Sequence, residues 1–247
     1  MTVKFKIGLI ISLSVYLCSA CSYLKPSKPH MEVVNFHTSP TNENMVILLP
    51  GLGMAIEDYQ KQAVVEKIRA CNQNIDIIGA DAYVAYYRDK TLDAKLYHDV
   101  IKPAQAAGKK KIWLLGTSLG GFGAIIYRTI RPQDLAGIII MAPYIGEQDD
   151  FDTYSALRAS NDKNQSIDID IPEFVDFWDN LAQTAHDPTA VEIILAYGEQ
   201  DKFATMQTWL AQLLPKEQVV TAAGAHKWKV WNSIWEDTLS KSSMCQH

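Results

Sequence analysis

Residues 116–120 read Gly-Thr-Ser-Leu-Gly, a G-x-S-x-G pattern. The run before it, KIWLL at 111–115, has the character of a buried strand, and GFGAI at 121–125 opens a helical pattern. A sharp turn from strand to helix brings the two backbones together, so small residues are needed at 116 and 120. Such a turn lifts the Ser118 hydroxyl out at the end of the strand. It also sets Ser118 at a helix N-terminus, where free N–H groups and the helix dipole favour negative charge. These are the requirements of a nucleophile. A serine hydroxyl attacks poorly until a base takes its proton, so a histidine must be found.

Six histidines are available. His30 and His37 lie near the N-terminus, and His247 is the last residue. His98 sits within a helical pattern, and His186 precedes the turn pair Asp187-Pro188. His226 lies between the last strand-like run and the last helical one, in AAGAHKW. Loops at the carboxyl ends of parallel strands are where open α/β sheets keep their chemistry, so His226 is the candidate base. Asp201 lies in YGEQDK, leaving the strand-like run EIILA at 192–196. It can accept a hydrogen bond from the imidazole, fix its tautomer and stabilise the imidazolium. Glu199 is the fallback. An acyl carbonyl attacked by Ser118 becomes an oxyanion that prearranged donors must meet. The Leu119 N–H, directly after the nucleophile, is one candidate. The second should come from the turn PGLGM after the run MVILL, with Leu52 N–H as first choice and Gly53 or Met54 as alternatives.

The elements that must position these groups follow from the hydropathy pattern. Buried strands are expected at residues 45–49, 75–78, 112–115, 138–141 and 193–196, with a last short one around 219–220. Helices are expected at 58–70, 92–107, 122–130, 206–214 and 228–239. Continuous Ile/Val/Leu runs alternating with amphipathic helices imply an α/β fold: a mostly parallel central sheet covered by helices on both faces. Residues 143–188 interrupt the rhythm without a buried-strand signal and read as an insertion. Within it Phe174, Phe177, Trp178 and Leu181 fall at i, i+3, i+4 and i+7, one face of a helix.

Taken together, the elbow at Ser118, the loop at 50–54, Asp201 and His226 resemble the α/β-hydrolase superfamily. The resemblance covers roughly residues 32–239. It implies a Ser…Asp…His order along the chain, which Ser118, Asp201 and His226 satisfy, and an oxyanion hole from Leu119 and Leu52. Pro50 stands where relatives commonly carry His. The resemblance also implies that 143–188 occupies the place of a small lid, whose apolar face (Phe174, Phe177, Trp178, with Met54 nearby) either lines an acyl pocket or packs on the core. The expected activity is hydrolysis of an ester or thioester of a small-molecule acyl substrate. Alternatives are a peptidase or amidase with the same triad, and a non-catalytic envelope protein with a hydrolase fold. No HExxH or CxxC cluster suggests a metal, and no cofactor is expected.

The chain has 247 residues, 48% of them hydrophobic, and a formal net charge of −5. That composition excludes disordered and collagenous classes, and the acidic balance argues against nucleic acid as a partner. The first residues are different in kind. Lys4 and Lys6 precede an apolar run at 7–20, too short to span a bilayer and suited to a signal peptide over residues 1–20. Leu17-Cys18-Ser19-Ala20-Cys21 resembles a bacterial lipobox, with Cys18 where Leu is usual. The resemblance implies lipidation of Cys21, an anchor of about 0.8 kcal/mol per buried CH₂, and membrane as a partner. Ser22 after the Cys implies an outer-membrane lipoprotein facing the periplasm. Ordinary cleavage after Ala20 and an uncleaved anchor remain alternatives. Residues 21–30 then form a tether, and 31–247 the catalytic domain. Removal of 1–20 takes two lysines and moves the net charge from −5 to −7. It leaves Cys71 and Cys245 as a disulfide or two free thiols in an oxidising compartment.

Overall fold

The computed structural model describes residues 26–160, 173–185, 187 and 190–246. The expected signal sequence and Cys21 lie outside the described residues. Seven strands form one sheet: β1 (Val33–His37), β2 (Asn44–Leu49), β3 (Ile75–Ala80), β4 (Lys111–Thr117), β5 (Gly137–Met141), β6 (Glu192–Gly198) and β7 (Val219–Ala222), in the order β1-β3-β2-β4-β5-β6-β7. All neighbours pair in parallel except β1, which runs antiparallel to β3. Parallel pairing needs a crossover each time, and ten α-helical segments are described. They are α1 (Asp58–Lys61), α2 (Val64–Cys71), α3 (Val84–Arg88), α4 (Leu92–Lys95), α5 (Lys102–Ala106), α6 (Leu119–Ile130), α7 (Gln148–Ser160), α8 (Glu173–Thr184), α9 (Ala204–Leu213) and α10 (Trp228–Lys241). A π-helical turn, Leu96–Ile101, joins α4 to α5, so the helix expected at 92–107 is one rod of mixed winding.

Both faces of the sheet are covered, which is why its strands read as unbroken apolar runs. Side chains alternate between them. Ile47, Leu49, Leu114, Ile138, Ile140 and Leu195 point into one layer, with Tyr86, Leu96, Ile125 and Leu210. Val46, Leu48, Leu115, Ile139 and Ile194 point into the other, with Tyr59, Ile68, Trp231 and Trp235. The aromatic face expected within the insertion forms as α8 and joins the first layer: Phe174, Phe177, Trp178 and Leu181 are all buried there.

Two features depart from the expected plan. β1 is an added edge strand, and the tether expected at 21–30 is docked on the domain from Pro26 onward. Cys71, the last residue of α2, is disulfide-bonded to Cys245, with Cα atoms 5.1 Å apart. This joins the C-terminal 3₁₀ turn to the sheet edge opposite Ser118.

Candidate active site

The register lines up the carboxyl ends of the strands. Leu49 stands beside Gly116, Thr117 beside Met141, Met141 beside Ala196, and Gly198 beside Ala222. The segments leaving these ends carry Leu52, Met54, Ser118, Leu119, Asp201 and His226.

At the end of β4, Ser118 has φ 54° and ψ −114°, a backbone conformation that a side-chain-bearing residue rarely adopts. Such strain persists only where the surroundings enforce it, and here they do. Ser118 N–H donates to Met141 O at 2.9 Å, and Ser118 O accepts from Phe122 N–H and Tyr144 N–H at 3.1 and 3.2 Å. The glycines permit the approach: a Cβ on Gly116 would lie 2.1 Å from Gly120 O, and one on Gly120 would lie 2.0 Å from Leu49 O. Behind the turn, buried Tyr59 donates from its hydroxyl to Leu49 O at 2.7 Å and meets Thr117 Oγ1 at 3.0 Å. Burial pushes the Tyr59 phenol well above its usual range, so it remains a donor.

His226, between β7 and α10, turns its ring to the serine. His226 Nε2 is 3.0 Å from Ser118 Oγ, and Nδ1 is 2.7 Å from Asp201 Oδ2. The Asp201 carboxylate is fully shielded from solvent, and its other oxygen accepts from Phe203 N–H at 2.9 Å. Asp201 N–H in turn donates to Gly198 O at 2.9 Å, closing the turn that aims the side chain. Glu199 does not reach the imidazole; its carboxylate accepts from Thr221 Oγ1 at 3.2 Å. The two loops are stitched together by Glu199 N–H to Ala222 O (2.8 Å) and Gln200 N–H to Gly224 O (2.9 Å). Phe203 and Trp231 stand edge-on to the imidazole, with centroids at 5.4 and 4.9 Å.

Leu119 is the first residue of α6, where a backbone N–H has no partner within the helix. The loop after β2 lies alongside: a Cβ on Gly51 would come within 3.3 Å of Ser118 Cβ. Met54 N–H donates to Gly51 O at 3.1 Å and so is occupied, which favours Leu52 over Met54 as a donor. The Leu52 side chain is 65% exposed. The Met54 thioether folds back to accept from Gly51 N–H at 3.2 Å.

The expected acyl pocket is corrected in part. Trp178 is fully buried, donates from Nε1 to Ile145 O at 2.8 Å and stacks on Phe174 at 5.4 Å. It packs in the core beneath the insertion. Phe174 and Phe177 are also buried and meet Phe122 at 5.4 and 5.5 Å. Phe122 and Tyr144 connect them to the site. Tyr144, Phe203 and Trp231 border the site and were not anticipated. Each lies within five residues of a strand end or a candidate residue, the one signal that could have raised them. A surface hollow lined by Asn44, Asn72 and Lys111 lies at the opposite edge of the sheet, away from Ser118.

The geometry is that of a nucleophile, a base and an orienting carboxylate in series. Among known families, that of serine aminopeptidase S33 matches residues 42–165, half of the chain and the part that holds Ser118. The chain belongs to this family of α/β hydrolases. Solved structures share the hydrolase fold over almost the whole chain. An S-formylglutathione hydrolase from Staphylococcus aureus superposes with a TM-score of 0.56 at 13% identity, covering 90% of this chain and 98% of the other. A monoacylglycerol lipase from Paleococcus ferrophilus gives 0.55 at 16% identity, covering 86% and 100%. The fluorophosphonate-binding serine hydrolase FphF of Staphylococcus aureus gives 0.55 at 14% identity, covering 90% and 100%. At such identities these likenesses speak for the fold alone. No curated protein sequence matches this hydrolase.

Proposed function

We propose that this hydrolase cleaves an ester or thioester acyl bond through a covalent acyl-enzyme. The observation that carries the reading is the unbroken line from Asp201 Oδ2 through His226 to Ser118 Oγ, at 2.7 and 3.0 Å. His226 takes the Ser118 proton as Oγ attacks the acyl carbonyl. Asp201 holds the imidazole with Nε2 toward the serine and stabilises the imidazolium. The Leu119 and Leu52 N–H groups receive the oxyanion. His226 then gives its proton to the departing alcohol or thiol. Water, deprotonated by the same imidazole, releases the acid and restores Ser118. The test is labelling by a fluorophosphonate probe: wild type reacts and Ser118→Ala does not. Folded wild type that fails to label would refute the reading.

A peptidase reading draws support from the name of the family, serine aminopeptidase. It is separated by turnover of aminoacyl p-nitroanilides against p-nitrophenyl esters, with the esters expected to be the better substrates.

For location, the reading is an outer-membrane lipoprotein facing the periplasm, anchored through Cys21 after loss of residues 1–20. Among the described residues no helix is long and apolar enough to cross a membrane. Cys21→Ser is expected to release the protein from the membrane fraction.

A further inference from the structure

The segment expected to be a loose tether is tied to the domain. Tyr83 Oη donates to Pro26 O at 2.8 Å and accepts from Lys28 N–H at 3.0 Å. Ser27 N–H donates to Asp89 Oδ2 at 3.2 Å, and Lys95 Nζ reaches Pro29 O. Met31 N–H donates to Asp99 Oδ2 at 2.9 Å, and its side chain is buried in the core.

Where this strap lies follows from the one antiparallel strand. Val33, at the start of β1, pairs with Ala80, the last residue of β3. β3 is parallel to β2, and β2 to β4, whose end carries Ser118. The chain therefore enters the sheet at its catalytic edge. Residues 26–28 rest against α3 and its flanks, and α3 touches the nucleophile helix. The Tyr87 ring stacks on Phe122, one turn beyond Ser118, at 6.2 Å. Only residues 22–25 lie between Cys21 and Pro26. Five Cα steps span at most about 18 Å, whereas a domain of this size is roughly 40–45 Å across. A lipid on Cys21 thus keeps the catalytic edge near the bilayer and the opposite edge out of reach. The exposed apolar side chains agree. Among the described residues three large ones are exposed, and two of them, Leu52 (65%) and Val33 (39%), sit on this edge.

We propose that the catalytic edge docks on the lipid layer, with Leu52 and Val33 in the headgroup region, and that the substrate is an acyl ester of an amphiphile resident in that layer. This rests on the lipidation of Cys21 and the Ser118 chemistry proposed above. The experiment uses the purified lipidated protein in phospholipid vesicles. Single-cysteine labels are placed at Val33→Cys on the catalytic edge and at Lys111→Cys on the exposed start of β4, and lipids with headgroup nitroxides serve as quencher. Quenching at 33 and not at 111 is expected, and the same in a Ser118→Ala background. Orientation is thereby scored apart from catalysis, which fluorophosphonate labelling in detergent scores separately. Equal quenching at both sites, stronger quenching at 111, or wild type that does not sediment with vesicles would overturn the proposal. A second arm inserts fifteen Gly/Ser residues between Lys25 and Pro26. Lengthening the leash from five to twenty steps lowers the local concentration about eightfold by the −3/2 power of length. Turnover of a long-chain acyl ester embedded in the vesicles should fall by about that factor, with soluble p-nitrophenyl acetate unaffected. Unchanged turnover of the embedded ester would also overturn it.

Discussion

Replacing Gly120 with alanine puts a methyl group where the structure has backbone. The new Cβ would stand 2.0 Å from Leu49 O, 2.6 Å from the Leu49 carbonyl carbon and 2.8 Å from Pro50 O. Real Cβ contacts essentially never fall below 3.0 Å, so β2 and α6 must part by about 1 Å. Leu49 O cannot yield cheaply, since β2 is interior to the sheet and Tyr59 holds that carbonyl. The movement falls on α6 and on Ser118 at its head. The Ser118 Oγ–His226 Nε2 contact is 3.0 Å, and a further ångström takes it beyond hydrogen-bond range. A displacement of that size typically costs about 10²-fold in rate, and the overpacking costs about 1–3 kcal/mol of stability. The assay is kcat/KM on a p-nitrophenyl ester beside thermal unfolding. Expected are a folded, moderately destabilised protein, a kcat lowered about 10²-fold and a KM little changed. Gly108→Ala is the control. It has φ +89° and open space around the Cβ, so it should cost about 1–2 kcal/mol through strain alone and leave turnover intact. Should Gly120→Ala keep more than about a third of the wild-type kcat/KM, the close approach at the elbow is not what positions Ser118.

Other outcomes follow from the same contacts. Asp201→Asn retains an acceptor for Phe203 N–H but favours the wrong imidazole tautomer; kcat should fall by about 10³–10⁴-fold with little change in melting temperature. Replacing both Cys71 and Cys245 with serine should cost about 2–5 kcal/mol, seen as a lower melting temperature, while turnover at 25 °C persists because the bridge lies at the edge opposite Ser118. Arg128 is buried in α6 and donates to Val191 O (2.9 Å), Thr184 Oγ1 (3.0 Å) and Thr184 O (3.4 Å), pinning the end of α8. Arg128→Met leaves those acceptors without their charged donor, at about 1.5–3 kcal/mol, and should speed limited proteolysis after α8.

What could be read in advance depended on how strongly each segment's chemistry is constrained. The interior strands are covered on both faces, so their apolar runs stand out, and the elbow glycines mark a turn that admits no side chain. β1 escaped notice because VVNFH sits at the sheet edge and none of its five residues is fully buried. α7 has an acidic, mostly exposed surface and buries Phe151 and Tyr154, too few apolar positions to set a period. Trp178 shows another ambiguity: a helical face that lines a cavity and one that fills a core have the same spacing, and only the facing atoms decide. The cysteine pairing likewise needed the path of the chain, which brings together two residues separated by 174 positions. The docking of residues 26–31 depends on Tyr83, Asp89 and Asp99, which nothing in a short Pro-containing stretch foretells.

The Cys71–Cys245 bridge also fixes the covalent topology of the active site. Ser118, Asp201 and His226, the whole insertion and five of the seven strands lie inside one closed ring from Cys71 to Cys245, while residues 1–70, with β1, β2 and the Leu52 loop, and the last two residues lie outside it. A peptidase that cuts once anywhere between residues 72 and 244 leaves a single molecule, with Ser118 and His226 still covalently joined. The hydrolase can therefore be nicked in its insertion without losing half of the Ser118–His226–Asp201 set.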